Sequence, residues 1–478
     1  MKTLRDALLE YPPQMLRAIA DMNALQLPEG GSRDQWADFL SNELARADIA
    51  QQAWQSLGEA ERGIIERMRQ NDGRIKAFQL LRDHGEIRPF GVVALARDKP
   101  WLSPANSVES LWYRGLIQRA FDVGGAYRGE VFFIPQEILA HWPRAGAGEV
   151  HFAIKTVPAP QAILDDDDAA VWDMFTFLSF VVREEPVSAD GDMLRPDDLL
   201  TLHAQFLVKD DFQDKRAASA APRLSFIQRI ARTARLVKSN DGRGLRAGLR
   251  ATDWLRAPRH QQRMQLVEAW QRERLWNELA HVPTLRLEET GWKNDPRLAR
   301  NVVWAQLAHC PTGAWISTAS FVAAIKKADP DFQRPDGDYE RWHIRDQATG
   351  RLLTGFSQWQ NVEGALISYI LHFPLRWLGV VNVSAKMDEQ AEFSITEFGA
   401  RALGRSAVNP PQPRAAKVIA QANFEVLVPL DAPLNARFQL ERMAERVRWP
   451  ADPRVGDATA AAAGHDRTDD WLPQARVA

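Results

Sequence analysis

Residues 359–403, WQNVEGALISYILHFPLRWLGVVNVSAKMDEQAEFSITEFGARAL, decide the reading of this chain. The stretch opens on a helix-length apolar run: Val362, Ala365, Leu366, Tyr369, Ile370. Apolar side chains at such intervals fall on one face of a 3.6-residue helix. A turn is expected at Phe373-Pro374. Trp377-Leu378-Gly379 then leads into a short strand at 380–383. A polar turn follows, and an alternating strand runs through Phe393 and Ile395. Thr396 stands where its hydroxyl can cap a last short helix at 397–403, since the first turn of a helix has backbone N–H groups without partners.

The same order recurs upstream. Residues 107–117, SVESLWYRGLI, run from helix into strand, with Gly115-Leu116-Ile117 at the place of Gly379-Val380-Val381. A turn at 122–128 holds Gly124-Gly125, and a return strand at 131–134 enters Pro135 and a helix at 136–141. A third copy lies between these two. Its helix at 223–238 ends in Leu236-Val237, Asn240-Asp241-Gly242 is a turn signal, and a strand at 245–249 precedes a turn of helix at 251–255. Helix, strand, wing, strand, helix is the order of a winged-helix module. The expected fold class is mainly α with small β wings (α+β): tandem winged-helix modules, followed by an incomplete α/β domain.

The domain plan follows from punctuation and periodicity. Residues 1–55 read as an N-terminal helical region. One helix carries Met15, Ile19 and Met22 on a face, and another carries Trp36, Phe39, Leu40 and Leu44, with Gly30-Gly31-Ser32 between them. The first module spans 56–145. A Gly/Pro-rich connector at 144–160 leads to the second, 160–257. A helical connector (258–290) holds a long helix at 261–279. The third module, 291–405, opens with Asp295 as N-cap and Pro296 at the first helical position, and carries a polar Pro/Gly insertion at 329–338. NPPQP at 409–413 is a linker. The partial α/β domain occupies 414–449, with strands at 417–420 and 424–428 and a helix carrying Phe438, Leu440, Met443, Ala444 and Val447. Residues 450–478 lack apolar periodicity and read as a disordered tail.

Composition limits the functional classes. With 478 residues and 45% apolar content the chain can bury a core. A net charge of −2 means that any nucleic-acid contact is local. One cysteine, Cys310, excludes a disulfide scaffold and a multi-cysteine zinc site, and fits a reducing compartment. The N-terminus has acids within its first ten residues, and no run of 18 apolar residues occurs, so a cytoplasmic protein without a membrane span is expected. The 17 tryptophans read mostly as core rather than as a base-stacking platform.

Chemistry is sparse. No Walker GxxxxGK[ST], DEAD box, GxGxxG, HExxH or GxSxG occurs. His309 beside Cys310 has no third ligand at metal spacing. The acids of 331–338 lack the EF-hand spacing. The run Asp165–Asp168 precedes an apolar helix and reads as acids at its N-terminus, favoured by the dipole, rather than as a metal site. No enzyme, no cofactor, no metal and no catalytic residue is expected.

The strongest charged feature is residues 215–263, with thirteen Lys/Arg against two acids. Arg229, Arg232 and Arg235 climb the last helix of the middle module at a spacing of three. Lys238, Arg243, Arg246 and Arg250 fall on its wing. These seven are the candidate DNA-binding residues, because lysines and arginines on those two elements suit phosphate contact without sequence specificity. The alternative is a solvated basic face that pairs with an acidic partner subunit or with the Asp165–Asp168 run. The third wing, with Lys386, Asp388, Glu389 and Glu392, is acidic.

Beyond the linker, Ile419-Ala420-Gln421-Ala422-Asn423-Phe424-Glu425-Val426-Leu427-Val428-Pro429 and Leu440-Glu441-Arg442-Met443-Ala444-Glu445 carry a resemblance. They are similar to the opening of the helicase-associated domain at the N-terminus of XPB-type helicases and in bacterial helicase C-terminal-domain-like proteins. The winged-helix layout, with Leu378-Gly379 and Thr396-Glu397-Phe398-Gly399, also looks like those bacterial proteins. The resemblance implies a non-enzymatic DNA-binding or adaptor role, with DNA and a helicase or other protein as partners. No motor motif carries over, and the expected continuation of that domain is missing, so a truncation or frame shift near Arg448 is expected. A protein–protein scaffold without DNA affinity is the alternative.

Overall fold

The computed structural model describes residues 2–122, 129–143, 154–187, 194–210, 221–239, 244–288, 290–388, 390–406, 417–420, 422, 425–429, 432–442, 444–446 and 474–477. Helices dominate, and strands are confined to small sheets. The chain divides into two compact units, Met1–His151 with Arg334–Asp338, and Phe152–Gln333 with Tyr339–Ala478.

The first unit opens with α1 (Leu4–Leu8), α2 (Pro13–Met22), α3 (Arg33–Leu44) and α4 (Ala47–Ser56). Met15, Ile19, Leu40 and Leu44 are buried, and Met22, Trp36 and Phe39 pack at the rim of the same core. Ser32 and Gln35 cap α3 reciprocally. Then come α5 (Glu59–Gln70), β1 (Arg74–Lys76), α6 (Ala77–His84), α7 (Val92–Asp98), α8 (Ser107–Tyr113), β2 (Gln118–Asp122), β3 (Gly129–Phe133) and α9 (Gln136–Leu139). The three strands pair antiparallel in the order β1-β3-β2.

The second unit begins with β4 (Thr156–Val157) and β5 (Ile163–Leu164), then α10 (Ala169–Glu184), α11 (Pro196–Gln205), α12 (Pro222–Thr233), β6 (Val237–Ser239), β7 (Leu245–Ala247) and α13 (Ala251–Arg256). α14 (Arg259–Arg272) and β8 (Leu285–Leu287) connect to α15 (Pro296–Leu307), β9 (Trp315–Ser317), α16 (Thr318–Ala328) and β10 (Ile344–Asp346). A long helix follows. Its centre, α17 (Ala365–Ile370), lies between π-helical turns at Gln360–Gly364 and Leu371–Leu375. β11 (Val381–Ser384), β12 (Glu392–Ile395) and α18 (Glu397–Ala402) complete this part.

Three times, then, the chain builds three helices, an antiparallel hairpin and a short helix: α5, α6, α8; α10, α11, α12; and α15, α16, α17. The turn from third helix to hairpin is the same each time. The second residue after the helix has positive φ: Gly115 (69°), Arg235 (60°) and Gly379 (69°). Its N–H donates three residues back, to Trp112, Arg232 and Arg376. The next N–H, of Leu116, Leu236 or Val380, donates five residues back, to Leu111, Ala231 and Leu375, at 3.1, 2.8 and 2.8 Å. This paired closure satisfies the last carbonyls of the helix and buries the apolar residue that follows.

The third repeat is elaborated. β9, β12 and β11 pair as their counterparts in the first unit do, and β4 and β5 border them on either side, giving the sheet order β4-β9-β12-β11-β5. The connector read at 144–160 therefore holds a strand, β4. A buried ion pair fastens α15 to the chain before it. Arg300 and Glu278 are both fully buried, at 2.6 Å, and Arg300 also donates to the carbonyls of Trp270, Glu273 and Trp276.

Other expectations shift. Phe373-Pro374 is not a turn, because the helix widens to a π-helical turn there, which accommodates a residue with no N–H to donate. The connector helix stops at Arg272 rather than 279. After 417 the chain forms β13 (Ile419–Ala420), β14 (Glu425–Leu427), α19 (Leu434–Glu441), β15 (Ala444–Arg446) and β16 (Gln474–Val477), in the order β13-β14-β16-β15. The helix expected through Val447 thus ends at Glu441, since Ala444–Arg446 pair with β16. Within the expected disordered tail, Gln474–Val477 form a strand, and residues 450–473 lie outside the described residues. Leu434 and Phe438 of α19 join the core of the second unit, where Phe438 meets Phe175 of α10 edge-on at 6.5 Å.

Candidate functional site

The basic stretch sorts into two sets, and the phase of each residue on its element decides which. Arg223, in the first turn of α12, faces inward. It donates to Asp173 of α10 at 2.8 Å and lies 3.7 Å from Asp166. From α14, Arg259 reaches Asp168 at 3.2 Å, and Arg263 reaches Asp167 at 2.9 Å and Asp168 at 3.3 Å. Arg376, outside the basic stretch, meets Asp166 at 3.2 Å. Asp166–Asp168 is therefore a hub for arginines from three helices, rather than only a set of acids facing a helix dipole. Asp168 is the N-cap residue of α10, yet its side chain makes no capping bond. Burial pushes its carboxyl up, against the pull of Arg263 and Arg259.

The second set faces out. Arg235, Lys238, Arg246 and Arg250 are exposed, and among the described residues no carboxylate lies within ion-pair range of any of them. They sit on one small frame. Lys238 and Arg246 are direct partners across the β6–β7 ladder. The N–H of Arg250 donates to the carbonyl of Arg235 at 3.3 Å. Like charges placed directly opposite on a sheet repel. The equivalent pair is Asn382 and Ser394 in the third repeat and Gln118 and Phe133 in the first. The basic cross-strand pair thus belongs to the middle copy.

Three sequence expectations need correction here. Arg235 does not climb the helix with Arg229 and Arg232: α12 ends at Thr233, and Arg235 occupies the left-handed turn that follows. Arg229 and Arg232 are half-buried and engaged in interactions of their own. Arg250 is not on the return strand, which ends at Ala247, but leads into α13. Arg243 lies outside the described residues.

The turn after β7 is held tightly. Gly248 donates to Leu236 at 2.7 Å, and Ala251 donates back to Gly248 at 3.1 Å. A Cβ on Gly248 would lie 2.3 Å from the carbonyl oxygen of Arg235, so only glycine fits. Leu249, the next residue, is 88% exposed. Sequence reasoning passed over it as part of a strand; its position beside Arg250 in a Gly-Leu-Arg turn was the available signal.

Elsewhere, a cleft of about 530 Å³ in the first unit is lined by Arg74, Arg119, Phe121, Asp122 and Glu130. Its signs are mixed, with Arg74 on Asp122 at 3.2 Å. No described tryptophan is exposed, which fits their reading as core. Among the described residues no group of three or more His, Cys, Asp or Glu is placed to hold a metal, and no helix is long and apolar enough to cross a membrane. No protein-family model matches the chain, and none of the curated proteins does.

Proposed function

We propose that the three repeats are winged-helix modules, and that the middle one binds the DNA backbone through Arg235, Lys238, Arg246 and Arg250. The reading makes the protein a non-enzymatic DNA-binding or adaptor protein. One observation carries it: the exposed hairpin sets Lys238 opposite Arg246 with, among the described residues, no acid beside them, an arrangement that costs stability until a polyanion neutralises it. Arg235 adds weight. The other two repeats place glycine at this left-handed position, whereas the middle repeat accepts strain there and gains a cation. The likeness of residues 419–429 to helicase-associated domains supports a helicase as neighbour.

The scaffold reading has its own support. The outer strand β5 and the nearby turn expose Ile163, Leu164 and Met387, an apolar edge of the kind a protein partner covers.

Fluorescence anisotropy with labelled duplex DNA at low and moderate salt separates the two. DNA binding predicts salt-sensitive affinity that falls when Lys238 and Arg246 are neutralised. Absence of binding at low salt removes this reading and leaves the scaffold.

A further inference from the structure

We infer that Leu249 is a wedge that enters an opened base step, so that the ligand of the middle repeat is duplex DNA carrying an unpaired or destacked step, such as a fork. The inference rests on the DNA-binding reading above and deepens it.

Three observations carry it. The first is exposure: Leu249 holds its apolar side chain 88% in solvent, more than any other large apolar residue described. The second is rigidity. Leu249 stands in a tight turn whose flanking N–H groups, of Gly248 and Arg250, both bond to the turn that follows α12, at Leu236 and Arg235. A side chain anchored this way keeps its direction when it meets a ligand. The third is position. Counting from the aligned ladders, the residue equivalent to Leu249 is Gln136 in the first repeat and Glu397 in the third, both exposed and polar. The apolar residue occurs in the copy whose hairpin is cationic.

Charge complementarity names the occupant. Arg250 follows Leu249 in the chain, its N–H donates to the Arg235 carbonyl, and Arg246 stands three residues back on β7, all three exposed, so an anionic partner suits the covering of the leucine. An acidic protein surface would leave a lone leucine with little apolar area to meet. A nucleic acid offers phosphates at its rim and apolar base faces within, and leucine is among the side chains that insert between base steps and unstack them. Opening a paired step is costly, and a step that is already open spares most of that cost.

The experiment compares a labelled, fully paired duplex with the same duplex carrying a short unpaired step, using 2-aminopurine at that step. Wild-type protein is expected to prefer the open duplex by about ten-fold, because the open step spares part of the unpairing cost, and 2-aminopurine fluorescence should rise on binding as the base unstacks. Leu249→Ala should keep its affinity for the paired duplex within about two-fold and keep the salt slope, because no phosphate contact is lost, yet lose the preference. Leu249→Met should retain it. An exposed side chain leaves no cavity when truncated, so folding is not at stake. Equal wild-type affinity for both duplexes, or a preference that survives Leu249→Ala, overturns the wedge while leaving backbone binding intact. Failure of wild type to bind either duplex overturns the DNA-binding reading, and the wedge with it.

Discussion

Lys238 faces Arg246 directly across a two-stranded ladder, and neither side chain has an acid within reach among the described residues. That pair gives the middle repeat a conflict between stability and binding. Lys238→Glu turns repulsion into a cross-strand ion pair, worth about 0.2–1 kcal/mol to the fold. The same change should weaken salt-sensitive DNA binding. The checks are a urea melt and anisotropy on one preparation: the midpoint rises while affinity falls. A variant that loses both, or neither, contradicts the assignment.

Lys238→Ala with Arg246→Ala should flatten the dependence of log affinity on log salt by roughly two units, at about 0.9 per phosphate contact released. The loss should be even across DNA sequences, because phosphates carry no base identity.

Arg235→Gly should stabilise the fold by about 1 kcal/mol, since glycine enters the left-handed region without the clash that a Cβ meets there. DNA affinity should fall in the same variant. Thermal melting and a binding titration test the two signs together.

Glu278→Gln should destabilise the second unit by about 3–5 kcal/mol, because Arg300 keeps its charge in a fully buried site after losing its carboxylate. Replacing both partners, as Glu278→Leu with Arg300→Met, should cost less than the single change. Denaturant melts of the two variants check the order.

His281 stacks on Trp276 with ring centroids 4.8 Å apart, and burial pushes the imidazole down to about 4. In the unfolded chain it titrates near its ordinary value. The folded state therefore holds the neutral form, and its contribution is complete above the unfolded value. It is lost as pH falls from about 6.5 towards 4, by up to about 3 kcal/mol at 1.36 kcal/mol per pH unit. Subtracting the stability curve of His281→Phe from that of wild type should leave this slope, and a flat difference would exclude it.

Local signals were strong enough to reveal parts of this architecture. Thr396 caps α18 through the N–H of Gly399, and Asp295 with Pro296 opens α15, as their positions in the sequence imply. Gly115 and Gly379 marked the helix-to-hairpin turns. What the sequence concealed depends on distant partners. Arg235 makes the same turn without a glycine to announce it, so α12 read five residues too long. Strands as short as β4 and β5 have no period to detect. The division of the basic stretch needed Asp173, which meets Arg223 only once α10 and α12 pack. At Ala444–Arg446 a helical pattern gives way to pairing with β16, a non-local preference that overrides propensity.

The two strands bordering the third sheet have a further consequence. Ile163 pairs with Ser384 and Thr156 with Ile316, although the whole middle repeat lies between them in the chain. On the ribosome, β4 and β5 are made first and wait until the last hairpin emerges. Such closure between distant segments slows folding. A fragment starting at residue 291 would leave both flanks of that sheet bare and prone to self-association, whereas one starting at 152 carries its own covering.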